Sequence, residues 1–158
     1  MARLFLLLAL CILPAIATAR IISSPFEVQG RVYCDTCRCG FETSATKYIA
    51  GAKVRIECKG PDATGIKFTA EGVTDSTGTY KISVSYDRGD DICDAVLVSS
   101  PDPFCSAPNR GRDRARVILT GANGLTSNIR FANNMGFLRK QSLAGCTQLL
   151  KMYLDTDE

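Results

Sequence analysis

An all-β domain of about seven short strands is the architecture this sequence predicts: an antiparallel sandwich or barrel, stapled by disulfides and ending in a short helix. Three observations predict it. Apolar and polar residues alternate with period two in several short runs, turn residues separate the runs, and cysteines are dispersed along the chain.

The first strand is read from Phe26, Val28, Val32 and Cys34, which alternate with Glu27, Gln29, Arg31 and Tyr33. Such a run buries one face and shows the other to water. The same holds for Ala52, Val54, Ile56 and Cys58 against Lys53, Arg55 and Glu57, and for Tyr80, Ile82 and Val84 against Lys81, Ser83 and Ser85. Further strands are expected over Ile66–Thr74, Asp94–Ser99, Ala115–Thr120 and Ser127–Phe131. Lys59-Gly60-Pro61-Asp62, Asp75-Ser76-Thr77-Gly78 and Gly121-Ala122-Asn123-Gly124 supply residues that reverse the backbone. Pro101, Pro103 and Pro108 make the segment from Pro101 to Arg112 an exposed loop, pinned through Cys105. Leu143, Cys146, Leu150 and Tyr153 recur at helical spacing, a C-terminal helix tied to the sheet by Cys146, and Asp155-Thr156-Asp157-Glu158 reads as a frayed acidic tail.

Before the first strand, Arg3 precedes the apolar run Leu4–Leu13 and the small-residue stretch Ala17-Thr18-Ala19. This is the pattern of a secretory signal peptide over residues 1–19, with a single mature domain over 20–158. The apolar run is too short for a bilayer span, which takes about 20 residues. No later stretch is apolar enough to cross a membrane, and the C-terminal residues carry no retention signal. The net charge of +3 falls to +2 once Arg3 is removed, so neither nucleic acid nor membrane insertion is expected.

Of eight cysteines, Cys11 belongs to the signal peptide, leaving Cys34, Cys37, Cys39, Cys58, Cys93, Cys105 and Cys146. In an oxidising compartment this is a frame of three disulfides with one thiol left over, and the spacing alone does not pair them. The cluster Cys34-Asp35-Thr36-Cys37-Arg38-Cys39 contains half of a zinc site, but no second ligand pair and no histidine accompany it. A thioredoxin-like role would need the motif to open a helix in a βαβ unit, and here it follows a strand.

At Gln29-Gly30-Arg31-Val32-Tyr33-Cys34-Asp35-Thr36-Cys37-Arg38 the sequence resembles the signature of the olive pollen major allergen family, the Ole e I-like secreted plant proteins. The resemblance runs on through Gly40-Phe41-Glu42-Thr43, Gly51-Ala52-Lys53-Val54, Gly78-Thr79-Tyr80-Lys81-Ile82, Arg112-Asp113-Arg114-Ala115-Arg116-Val117 and Phe137-Leu138-Arg139-Lys140. It implies a seven-stranded β-barrel or sandwich and the bridges Cys34–Cys105, Cys37–Cys146 and Cys58–Cys93. Cys39 stands where relatives usually carry a small residue such as Ala, so it is the expected unpaired thiol. A monomer is expected, with a Cys39-linked dimer as the alternative. No Asn-x-Ser/Thr sequon occurs, so the N-glycosylation common among relatives is expected to be absent.

No catalytic set, metal site or cofactor is read from the residues. Without histidine the usual general base is missing. The carboxylates Asp87, Asp90, Asp91 and Asp94 beside Cys93 lack calcium-loop spacing and read as a solvated hairpin loop. Arg110, Arg112, Arg114 and Arg116 form a basic stripe. On an extended chain alternate residues point to one side, so these four could grip an acidic cell-wall polysaccharide. The plainer reading is a charged edge that discourages strand-to-strand association, with Asp113 offsetting it. The resemblance implies roles in pollen hydration, tube growth and root or wall development, with a receptor-kinase ectodomain as one kind of partner. The expected function is therefore non-enzymatic: a secreted signalling ligand or wall-associated binding protein, and a potential pollen allergen.

Overall fold

Ten strands and a helix follow one another in the computed structural model, which describes residues 25–62 and 64–154. The expected signal peptide and the acidic tail lie outside the described residues. The strands are β1 (Phe26–Asp35), β2 (Lys47–Tyr48), β3 (Lys53–Lys59), β4 (Ile66–Val73), β5 (Thr79–Val84), β6 (Ile92–Ser99), β7 (Cys105–Pro108), β8 (Arg114–Val117), β9 (Ile129–Phe131) and β10 (Met135–Arg139); the helix α1 is Cys146–Leu154.

Ten residues of alternating character make β1 long enough to serve four partners. Its first half pairs antiparallel with β5 and parallel with β9. Its second half pairs parallel with β10 and antiparallel with β2, and β7 flanks β10. The second sheet is antiparallel throughout, in the order β4-β3-β6-β8. Between the sheets lie Val28, Val32, Val54, Ile56, Tyr80, Ile82, Ala95, Val117, Met135 and Phe137, all buried. Among these, Val28, Val32, Val54, Ile56, Tyr80 and Ile82 are residues whose alternation in the sequence reads as inward-facing.

Three disulfides close this frame. Cys34–Cys105 joins β1 to β7, Cys37–Cys146 joins the turn after β1 to the start of α1, and Cys58–Cys93 links directly paired positions of β3 and β6.

Several expectations are corrected. The chain forms two sheets rather than a closed barrel, the described strands number ten rather than seven, and one sheet is mixed rather than antiparallel. Parallel pairing to β9 and β10 brings strands more than ninety residues downstream onto β1, a long-range event that local alternation does not report. The proline-rich segment is not wholly loop: Cys105–Pro108 forms β7, which tolerates Pro108 because it lies at the sheet edge. Tyr33, on the polar side of β1, is buried because the segment after Cys37 folds back over it.

Candidate functional site

The signature around Cys34 is built into the frame. Arg31 stacks on the Tyr48 ring with its guanidinium carbon 3.2 Å from the centroid, and donates to Thr77 O at 2.9 Å. Asp35 is buried, and its carboxylate accepts from Cys39 N–H at 3.1 Å and Gly40 N–H at 2.7 Å. That carboxylate closes the turn through Arg38, whose φ of 57° lies in the left-handed region. Thr36 Oγ1 donates to Ala45 O at 2.9 Å, while Thr36 O accepts from Leu143 N–H at 3.1 Å. Cys39 is the free cysteine among the described residues, its Sγ 3.3 Å from Phe41 O and 3.7 Å from Asp35 Oδ1. Burial, and then the neighbouring Asp35 carboxylate, push its thiol above the ordinary range.

The turn that Asp35 orders forms one wall of a groove of about 510 Å³, lined by Tyr33, Phe41, Glu42, Arg112, Ala132, Asn133 and Asn134. Tyr33 lies at the floor, its ring over Gly136 of β10, where a Cβ would come within 2.7 Å of it. Burial raises the pKa of the Tyr33 phenol, and the Arg112 guanidinium opposes that shift. Arg112 is fixed from three sides: Gly136 N–H donates to its carbonyl at 2.9 Å, its own N–H donates to Asn109 O at 2.8 Å, and its Nε donates to Gly40 O at 2.8 Å. Its terminal guanidinium N–H groups make no hydrogen bond or ion pair with the described residues. Across the groove, Glu42 is held by Tyr48 Oη at 2.7 Å on one oxygen and by Asn134 Nδ2 at 2.9 Å on the other.

The basic stripe is divided by the fold. Arg114 and Arg116 lie on β8 and share its outer face, whereas Arg110 and Arg112 precede the strand. On the outer face of the second sheet, Glu57 and Asp94 stand directly opposite each other on β3 and β6, and both are buried. Two carboxylates so placed repel unless cations bracket them. Arg114 meets Asp94 at 3.0 Å, Arg116 meets Asp94 at 2.6 Å and Arg55 meets Glu57 at 2.7 Å. Arg114 and Arg116 thus neutralise carboxylates of their own sheet.

The aspartates are dispersed in the same way. Asp94 belongs to β6 rather than to a turn, and Asp91 faces Arg88 at 3.6 Å. Asp87 accepts from Gly121 N–H at 2.7 Å and, more weakly felt, from Gly89 N–H at 2.8 Å, which with Thr120 holds its pKa below the ordinary carboxylate range. Among the described residues no group of three or more histidine, cysteine or acidic side chains could hold a metal ion. The groove residues Tyr33, Phe41, Glu42, Asn133 and Asn134 escaped sequence reasoning. They come from three separate segments, and no spacing rule connects them.

A family profile described as "Pollen protein Ole e 1 like" matches residues 24–154, a range that takes in every described residue. The chain belongs to the Ole e 1-like pollen protein family. Among its Ole e 1-like relatives, the chain is 46% identical to Protein DOWNSTREAM OF FLC from Arabidopsis thaliana over 94% of this chain and 91% of that one. It is 45% identical to Pollen-specific protein C13 from Zea mays over 96% and 89% of the two chains. It is 44% identical to Pollen allergen Che a 1 from Chenopodium album over 90% and 87%. The crystal structure of the major plantain pollen allergen Pla l 1 superposes with a TM-score of 0.69 at 28% identity, covering 78% of this chain and all of that one. Both the Ole e 1-like relatives and the disulfide-framed fold suit an extracellular protein.

Proposed function

We propose that this Ole e 1-like protein acts outside the cell as a non-enzymatic recognition protein, a signalling ligand or wall-associated binder in pollen tube or tissue growth. The observation that carries this reading is a division of labour between the signature and the groove beside it. Arg31, Cys34, Asp35, Thr36 and Cys37 are engaged in holding strands, turn and helix together. The Arg112 terminal N–H groups and the Asn133 amide, which make no hydrogen bond to the described residues, lie instead in the Arg112 groove, on loops that a rigid, cross-linked sandwich presents in fixed positions. A receptor-kinase ectodomain or a cell-wall polysaccharide is the partner class proposed. Gripping of polyanions by the whole arginine stripe is the weaker reading, because Asp94 and Glu57 already neutralise Arg114 and Arg116. Relatives named as pollen allergens support allergenicity as an accompanying property, since a cross-linked sandwich resists unfolding and proteolysis.

Biolayer interferometry of the oxidised, secreted protein against isolated wall fractions and a panel of receptor-kinase ectodomains tests the proposal. Saturable binding that disappears when the disulfides are reduced is expected. Absence of saturable binding to both classes, or turnover of a wall polymer by the purified protein, would overturn it.

A further inference from the structure

The geometry points to a binding site for a uronic-acid-bearing oligosaccharide in the groove between Arg112 and Glu42. This inference rests on the recognition function proposed above and names the ligand class for one site.

Each wall of the groove contributes a separate part of such a ligand's chemistry. Arg112 supplies the charge: its Nε is anchored on Gly40 O, and its terminal N–H groups are left without a partner among the described residues. An anchored guanidinium with that fork free is arranged to take a carboxylate through two parallel hydrogen bonds. The anchor is itself built, because the Asp35 carboxylate takes the Gly40 N–H and so holds in place the residue whose carbonyl accepts from Arg112. Asn133 is exposed and its amide makes no hydrogen bond to the described residues, so it offers both a donor and an acceptor to sugar hydroxyls. The buried Tyr33 phenol lies at the floor, and the half-exposed Phe41 ring stands at the rim, an apolar face against which a pyranose ring packs. A volume of about 510 Å³ is within the range of about 300–1,000 Å³ that small-molecule sites occupy.

Charge selects among anions. Glu42 faces the same groove, so Arg112 and Glu42 leave it near neutral. A phosphate monoester, with about 1.5 to 2 negative charges at neutral pH, would be repelled by Glu42 more strongly than a singly charged carboxylate. A uronate carries a single carboxylate on a ring of hydroxyls, and those hydroxyls match Asn133 and Tyr33. An acidic peptide could satisfy Arg112 but would leave the amide, the phenol and the aromatic rim unused.

Isothermal titration calorimetry of the full oxidised protein with trigalacturonate, at low salt, tests the site. Saturable binding is expected, weakened about tenfold or more by Arg112→Ala, since a charged hydrogen-bonded pair is lost. Asn133→Ala, at an exposed position that holds no part of the frame, should weaken binding while leaving thermal stability unchanged, which keeps the test valid if Arg112→Ala loosens the turn. Methyl esterification of the probe should weaken binding as Arg112→Ala does, and the Arg114→Ala/Arg116→Ala variant should bind like the wild type. Equal affinity of the wild type and both groove variants would overturn the assignment, as would a loss confined to the Arg114/Arg116 variant. Equally tight binding of an aspartate peptide of the same charge would reassign the groove to a protein carboxylate. If trigalacturonate does not bind while wall fractions or ectodomains still do, the site assignment fails and the broader recognition function stands.

Discussion

At Gly30 a side chain has no room, because a Cβ there would fall 2.5 Å from Tyr80 Oη and 2.7 Å from its ring. Gly30→Ala therefore forces Tyr80 off its place in the core and should cost about 1–3 kcal/mol in urea denaturation. Gly65→Ala, where nothing lies within 4 Å of the new carbon, is the control and should change stability by less than about 0.5 kcal/mol. Equal midpoints for the two variants would mean that Tyr80 has another position available. Cys39 supports a second residue-level prediction. Only the thiolate attacks an alkylating agent, and burial raises the pKa of this thiol. Iodoacetamide should label Cys39 alone in the unreduced protein, with a rate that climbs on the alkaline side of the ordinary value of 9.0. A rate already at its plateau near neutral pH would contradict that environment. Parity along β1 assigns Tyr33 to the outer side of the strand from sequence alone, and the structure places it there. Its burial was not legible, because the cover comes from Phe41, Glu42 and Arg112, which are distant in the chain.

Within elements, the second sheet shows how a sequence pattern and its meaning come apart. The alternation Arg114, Ala115, Arg116, Val117 reads as one charged and one apolar face, and β8 has that arrangement. The carboxylates opposite were not legible, since strand register decides that Asp94 pairs with Arg116 and with Glu57. Asp94→Ala leaves Arg114 and Arg116 without their principal partner. Because those guanidiniums are largely exposed, the cost should be modest, about 1–2 kcal/mol, and smaller at high salt, as denaturation with and without added sodium chloride would reveal. A cost that does not change with salt would indicate loss of packing rather than of ion pairing. β10 was missed although Met135 and Phe137 alternate with Gly136 and Leu138, because all four are non-polar and show no polar face. A strand buried on both sides carries little periodicity to detect.

Across the whole molecule, the three bridges close sequence intervals of 71, 109 and 35 residues. In the chain-entropy account the stabilisation grows slowly with the interval, from about 3.8 kcal/mol for the shortest to about 4.8 kcal/mol for the longest. Replacing Cys37 and Cys146 together by Ala should therefore lower the urea midpoint most, and replacing Cys58 and Cys93 least. The Cys37–Cys146 bridge also holds α1, which lies in neither sheet, whereas β3 and β6 remain joined by their own ladder. Because total stabilities of domains this size are about 5–15 kcal/mol, either loss is large. The reverse order of midpoints would show that the ladder between β3 and β6 depends on its bridge.

The amino-acid order by itself determined the all-β class, the inward residues of the longer strands, the turns and the family signature, because each of these is written over a few neighbouring positions. Only the tertiary structure decided that β9 and β10 lie parallel to β1, that Arg114 and Arg116 meet carboxylates, and that Arg112 stands apart from them across a groove from Glu42. These depend on which distant strands become neighbours and in what register, and a shift of one residue would send every side chain to the opposite face.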